Sequence, residues 1–130
     1  MAREELKEIL TSAIRELEEA VKALVSMDNR TLTGKVWKAA SDVEYATFLM
    51  SLSRRESEDE WKKIWKLSTD VDVGATLITA QNLLKQATTD LNSKDEEAYR
   101  KAWLARGHIL NVQNKLDKLR ARVVHLQRPS

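Results

Sequence analysis

The chain has 130 residues and a formal net charge of +2, with 42% hydrophobic and 32% charged residues. This length is typical of one domain with its own core, and the composition excludes both a disordered and a membrane-embedded chain. The sequence has 3 Gly, 1 Pro and no Cys, which excludes disulfides and thiolate metal sites and disfavours a many-stranded β fold. Because neither a signal peptide nor a membrane-length apolar run is evident, we expect a cytoplasmic or virion protein.

Hydrophobic residues spaced alternately three and four apart predict four long helices, at about 3–27, 31–54, 70–92 and 94–127. This spacing favours the gentle left-handed packing of four-helix bundles. The predicted core comprises Leu6, Leu10, Ala13, Leu17, Ala20, Leu24, Leu32, Val36, Ala39, Val43, Ala46, Met50, Val73, Leu77, Ala80, Leu84, Ala87, Leu91, Ala98, Ala102, Ala105, Ile109, Val112, Leu116, Leu119, Val123 and Leu126.

A short extra helix is predicted at about 58–67, between the second and third long helices. Trp61, Ile64 and Trp65 lie on one of its faces, at helical spacing. Short turns make the flanking helical hairpins antiparallel, and the core stripe of the last helix is longer than that of its partner. We therefore expect the short helix to cover the overhanging end of the last helix and close the bundle.

The two hairpins, 3–54 and 70–127, look like copies within a single helical domain. Adding 67 to each core position of the first helix gives the core of the third, and adding 66 to the second gives the fourth. Trp37 then matches Trp103. Duplication and coincidental phasing of heptad helices both explain the match. The sequence predicts an all-α, antiparallel four-helix bundle built from a duplicated helical hairpin, with a short extra helix joining the two hairpins.

The small net charge hides two unlike halves. Residues 1–97 carry 14 basic and 19 acidic groups, whereas residues 98–130 carry 8 basic groups and a single acid, Asp117. Lysine and arginine along one helix neutralise phosphates at any sequence, so this asymmetry predicts nucleic-acid binding. The predicted contacts are Arg100, Lys115, Lys118, Arg120, Arg122, Arg128, Lys62, Lys63 and Lys66.

A solvated face is the alternative explanation of this basic stripe. Basic groups near a helix C-terminus complement its dipole without any ligand. We also expect Glu4, Glu5 and Glu8, at the start of the first helix, to lie at the same end of the bundle and to pair with the basic groups.

Four tryptophans are candidate subunit contacts. Trp37 and Trp103 lie beside their core stripes rather than in them, where a bundle meets a neighbour. We predict that these two, with Trp61 and Trp65, form a subunit interface. Packing within the monomer is the alternative for all four.

Catalytic and metal-binding patterns are nearly absent from the sequence. It has no Gly-rich phosphate loop, no HExxH and no Glu-x-x-His pair, and His108 and His125 lie too far apart on one predicted helix to share a metal. We therefore expect no metal, no cofactor, no small-molecule substrate and no membrane partner, and a protein that is not an enzyme.

One short motif is an exception. The segment Arg120-Ala-Arg-Val-Val-His125 resembles the Arg-x4–6-His motif of HEPN-type helical ribonucleases. This resemblance implies that Arg120 and His125 act on an RNA backbone. It covers six residues, and Ala121 departs from the polar residue that usually follows the arginine in that family.

The size, the helical build and the cationic last helix together resemble two groups of nucleic-acid proteins. The first is the small all-helical coat proteins of filamentous archaeal viruses, which wrap DNA as paired subunits. The second is the helical small subunits of CRISPR effector complexes, which line the guide–target duplex. Both imply a structural protein that packs against itself or a related subunit along nucleic acid. Heavy use of Lys, Glu and Arg suits a thermophile.

The resemblance is at the level of the fold and rests on no diagnostic motif. The first 27 residues have a net charge of −2, where such coat proteins often carry a basic arm. A protein–protein adaptor bundle that binds no nucleic acid is therefore a further alternative.

Overall fold

A computed structural model describes residues 3–54 and 60–127, with side-chain surroundings as far as residue 122. The helices are α1 (Arg3–Val25), α2 (Asn29–Leu52), α3 (Glu60–Ile64), α4 (Val73–Asp90) and α5 (Asp95–Gln127). No strand occurs in these two ranges. The predicted all-α bundle is confirmed. The joining helix α3 is shorter than predicted, ending at Ile64; residues 58 and 59 lie outside the described ranges.

Two aspartates determine where α2 and α4 begin. The carboxylate of Asp28 accepts hydrogen bonds from the backbone N–H of Thr31 at 3.1 Å and from its hydroxyl at 2.6 Å. Asp72 likewise accepts from the backbone N–H of Ala75 at 2.9 Å. Each bond satisfies a donor that has no partner within the helix. The turn before α2 is tight because Met27 adopts a φ of 60°.

The core of the bundle follows the predicted stripes closely. Most predicted residues are buried, many of them fully, and Leu24, Val73 and Leu116 are half-buried against the same core. Leu119 is an exception, because 43% of its surface is exposed. The prediction that Leu119 is a core residue is wrong. The side chains of Val123 and Leu126 lie outside the described residues.

The four long helices form a bundle with two equivalent halves. Helix α1 packs against α2 and α4, and α5 packs against the same two helices, whereas in the described residues the backbones of the diagonal pairs α1–α5 and α2–α4 do not come close to each other. Exchanging one hairpin for the other preserves this pattern.

Ion pairs show which helix termini meet at each end. Arg3 pairs with Asp95 at 3.7 Å and Arg54 pairs with Glu96 at 2.7 Å, so α1 and α5 begin where α2 ends. We call this end of the bundle the proximal end. Helix α4 begins at the opposite, distal end, where Gly74 lies beside Leu24 near the end of α1.

The connection between the hairpins therefore runs along the bundle instead of closing its end. It leaves α2 at the proximal end and reaches α4 at the distal end, passing beside α5. The ring centroids of Trp61 and Trp103 lie 5.1 Å apart, and the backbone N–H of Ser68 donates to Asn111 Oδ1 at 2.8 Å. The expectation that the joining helix covers the overhanging end of the last helix is wrong, because the second hairpin enters the bundle in the opposite direction.

Candidate nucleic-acid interface

The last turns of α5 extend past the distal end of the bundle. Leu116, Leu119 and Arg120 still line a groove with the first turn of α2. Every side chain from 117 to 122 is exposed, and the helix continues to Gln127. We call residues 117–127 the α5 overhang. Within the described residues, the first turn of α2 is the helical segment that lies beside its start, and this single neighbour leaves 43% of Leu119 exposed.

Three basic side chains of the α5 overhang are free of acidic partners. Lys118, Arg120 and Arg122 are exposed and make no ion pair with any residue in the described ranges. At 100° per residue, Lys118 and Arg122 project to one side of the helix and Arg120 to the opposite side. The overhang therefore presents positive charge in two directions.

The side that bears Lys118 and Arg122 borders a shallow cavity of about 210 Å³. Lys115 and Asp70 also line it. The Lys115 ammonium donates a hydrogen bond to the carbonyl of Val71, which ties the end of the joining segment to α5. An ammonium group has three donors, so this bond leaves Lys115 able to contact an anion.

On the opposite side, Arg120 borders a larger groove of about 500 Å³ between α5 and the start of α2. Asn29, Arg30 and Thr33 line the α2 side of this groove. Arg30 is exposed and adds a second guanidinium, which the sequence did not single out because it stands alone on α2.

The other predicted contacts do not join this surface. Arg100 is exposed but lies 18 residues before Lys118, about 27 Å along the helix. Lys62 donates to the Tyr99 hydroxyl at 2.7 Å and Lys63 pairs with Glu60 at 3.5 Å, so both lie beside the first half of α5. The expectation that the short helix adds its lysines to the end of the basic stripe is wrong. Lys66, the third of them, is exposed, and Arg128 lies outside the described residues.

The acidic start of α1 lies far from the α5 overhang. Glu4, Glu5 and Glu8 belong to the proximal end, where Arg3 meets Asp95. Asp95 and Lys118 are 23 residues apart on one helix, or about 35 Å. The prediction that these glutamates neutralise the basic end of α5 is wrong, and the overhang keeps its charge.

Three of the four tryptophans pack against each other inside the chain. Trp61 contacts Tyr99 and Trp103 edge-on at 6.1 and 5.1 Å, and Trp65 contacts Trp103 at 6.4 Å. Trp65 also lies 4.8 Å from His108, whose pKa is lowered by burial. We call these rings the aromatic cluster. It attaches the joining segment to α5.

Trp37 differs from the other three. It is 50% exposed on α2 and belongs to no ring contact among the described residues. Of the predicted interface tryptophans it is therefore the one most available to another molecule.

The second predicted site is only partly described. Arg120 is exposed on the overhang, whereas the side chain of His125 lies outside the described residues. The Arg120–His125 pair stays a prediction. Within residues 3–54 and 60–122, no group of three or more His, Asp or Glu side chains is placed to hold a metal ion. No helix in the described ranges is long and apolar enough to span a membrane.

A buried acid pair between α1 and α2 escaped the sequence analysis. Glu16 is only 3% exposed, and its Oε1 accepts from the Ser12 hydroxyl at 3.2 Å and lies 3.5 Å from the Lys38 ammonium. Burial, followed by the hydrogen bond and the charge of Asp42, raises the pKa of Glu16 to about 7. The sequence signal was weak, because Glu16 lies next to Leu17 at the edge of the core stripe.

Comparisons with protein-family models, with curated proteins and with solved structures gave no match to this chain.

Proposed function

We propose that this chain is a non-enzymatic structural protein that assembles repetitively along nucleic acid and contacts phosphates through the α5 overhang. The observation that carries the proposal is the exposure of Lys118, Arg120 and Arg122 near the end of α5, where they make no ion pair with any described residue. Such groups bind phosphates of any sequence through counterion release. The proposal includes a cytoplasmic or virion location.

The shape of the overhang supports a duplex as the ligand. A single α-helix is about 10–12 Å wide, close to the width of the DNA major groove. The last turns of α5, after Arg120, extend past the start of α2 and can enter a groove without the bundle colliding with the backbone. Lys118 and Arg122 then lie on one side of the inserted helix, and Arg120 lies on the side that faces the start of α2.

Salt-dependent binding tests the proposal. Each neutralised phosphate adds about 0.9 to the slope of log affinity against log salt on duplex DNA. We expect the double variant Lys118→Glu/Arg122→Glu to bind duplex DNA and RNA more weakly, and to lose about 2 from that slope on DNA. Fluorescence anisotropy between about 50 and 200 mM salt covers the range in which the effect is large.

The matched control is Lys7→Glu/Lys85→Glu, which changes the net charge equally. Both lysines are exposed and make no ion pair in the described structure. We expect this control to keep the wild-type slope. Equal losses in the two double variants, or a wild-type affinity that ignores salt, overturn the proposal.

Two further observations separate the alternatives. Electron microscopy with DNA is expected to show arrays of the wild-type protein along the duplex. RNA cleavage that disappears in His125→Ala would instead favour the HEPN-type ribonuclease, and an oligomer that ignores both salt and nucleic acid would favour the adaptor.

A further inference from the structure

Helix α2 carries an exposed apolar face on the side away from the core. Trp37, Tyr45, Phe48 and Leu52 are between 48% and 64% exposed. At 100° per residue they share an 80° sector with two small residues, Gly34 and Ser41, and with the exposed Arg30 at the start of the helix. We call the six apolar and small residues the outer face of α2. Ser41 is at its centre, directly opposite the buried side of the helix.

The corresponding face of α5 is covered by the chain itself. Adding 66 places Ser41 at Gly107 and Tyr45 at Asn111. The ring of Trp65 lies on Gly107, so close that a Cβ there would be 2.5 Å from it. The next residues of the joining segment continue along this face, where Ser68 bonds to Asn111.

Within the described ranges, no segment of the chain covers the outer face of α2 as the joining segment covers α5. A Cβ added to Gly34 would meet no atom within 4 Å, and the aromatic side chains of the face are about half exposed. The two halves of the bundle are otherwise equivalent in their packing. In the second hairpin, an aromatic ring therefore covers the small residue of α5. In the first hairpin, the small residues and aromatic rings of α2 have no such cover among the described residues.

We propose that the outer face of α2 pairs with the same face of a second copy of this chain, antiparallel, about a two-fold axis at Ser41. This pairing specifies how copies associate in the proposed function, and it rests on that function. The pairing itself needs no nucleic acid. Residues equally distant from Ser41 face each other, so Gly34 meets Phe48 and Trp37 meets Tyr45. Large side chains then enter the spaces left by small ones.

The parallel arrangement fits less well. It sets Phe48 against Phe48 and Gly34 against Gly34, which crowds one end and leaves a void at the other. The antiparallel arrangement also places Lys38, with 66% of its side chain exposed, opposite Glu44 of the second copy, because both residues lie three positions from Ser41. Opposite charges that face each other across an interface favour this register.

Cysteine cross-linking tests the register directly, because the chain has no cysteine of its own. Helix axes 8–10 Å apart place the two Ser41 Cα atoms about 3.5–5.5 Å apart, and the wider spacings in this range suit a disulfide. The two Gly34 Cα atoms are about 21 Å apart in the same arrangement. We expect Ser41→Cys to form a covalent dimer under mild oxidation, and Gly34→Cys to form one only when mixed with Phe48→Cys.

Lys85→Cys, on an exposed position of α4, gives the background rate of random collision. Cross-linking of Ser41→Cys at that background rate overturns the proposal. Cross-linking of Gly34→Cys with itself as fast as Ser41→Cys overturns the antiparallel register.

Sedimentation equilibrium without nucleic acid measures the association itself. We expect the wild type to populate dimers, and Trp37→Glu/Phe48→Glu to weaken association by about tenfold or more. Ile78→Glu is the matched control on an exposed apolar residue of α4, and it is expected to dimerise normally. Circular dichroism verifies that each variant stays helical. A wild type that stays monomeric up to several hundred micromolar contradicts the proposal.

The variant Lys118→Glu/Arg122→Glu keeps the two proposals apart. It is expected to dimerise like the wild type while losing nucleic-acid affinity. A variant that still binds nucleic acid as tightly as the wild type overturns the proposed function alone, whereas a wild type that binds nucleic acid but stays monomeric without it overturns the pairing alone.

Discussion

Glu16 shows how one buried carboxyl makes stability depend on pH. Its Oε2 and the Oδ2 of Asp42 are both buried, and neither has a hydrogen-bond donor among the described residues. Two ionised carboxylates repel each other in such a site, whereas one shared proton satisfies both oxygens. Burial, which disfavours the charged carboxylate, and then this need for a proton beside Asp42 raise the pKa of Glu16 to about 7.

A carboxyl whose pKa is higher in the folded state stabilises the fold when it is protonated. This stabilisation is complete below the unfolded pKa of about 4.3 and is lost as pH rises through about 7.

We expect Glu16→Gln to exceed the wild type by about 1–3 kcal/mol in free energy of unfolding at pH 8, with the advantage disappearing at pH 4. Urea unfolding across this pH range measures the difference in free energy of unfolding between the variant and the wild type. The control is Glu8→Gln on the exposed side of α1. Parallel pH profiles for wild type and Glu16→Gln contradict the prediction.

At the scale of the element, two helical glycines in equivalent halves of the bundle have opposite roles. Gly107 makes room for the ring of Trp65, whereas Gly34 borders open space. Alanine favours a helix over glycine by about 1 kcal/mol at either position. Only at Gly107 does the added methyl group displace a neighbour, and overpacking of that kind costs about 1–3 kcal/mol.

We therefore expect Gly107→Ala to lower the free energy of unfolding by about 1 kcal/mol and to shift tryptophan emission to the red, as Trp65 is displaced. Gly34→Ala is expected to raise the stability by up to about 1 kcal/mol in the Trp37→Glu/Phe48→Glu background, where pairing of copies does not contribute. Thermal unfolding with fluorescence detection compares the two. A Gly107→Ala variant as stable as Gly34→Ala, with unchanged emission, argues against the close contact with Trp65.

At the scale of the whole molecule, the sequence predicted the helices but not the direction of the second hairpin. A heptad stripe such as the one from Leu77 to Leu91 buries equally well in either direction, so periodicity cannot choose between them. The choice depends on particular contacts, such as Arg3 with Asp95 and Trp65 on Gly107. Leu119 was misassigned for a related reason: its spacing suits a core, but the first turn of α2 leaves a groove beside it, and 43% of its surface stays exposed.

The direction of the second hairpin is measurable as a distance. Spin labels on Glu5→Cys and Lys118→Cys, in the Trp37→Glu/Phe48→Glu background, are expected to lie about 35 Å apart, because they belong to opposite ends of the bundle. Labels on Glu5→Cys and Lys94→Cys provide the control, since both lie at the proximal end. A separation below about 20 Å for the first pair would show that the second hairpin runs the other way.

Because Trp65 occupies the face of α5 at Gly107, the proposed pairing has one face per copy to use among the described residues, the outer face of α2. In the proposed pairing each copy therefore binds one other copy, and we expect association to close at a dimer instead of continuing into a polymer. An antiparallel pair of this kind points its two basic overhangs in opposite directions. Under the proposed function, any longer array is then expected to take its length from the bound nucleic acid.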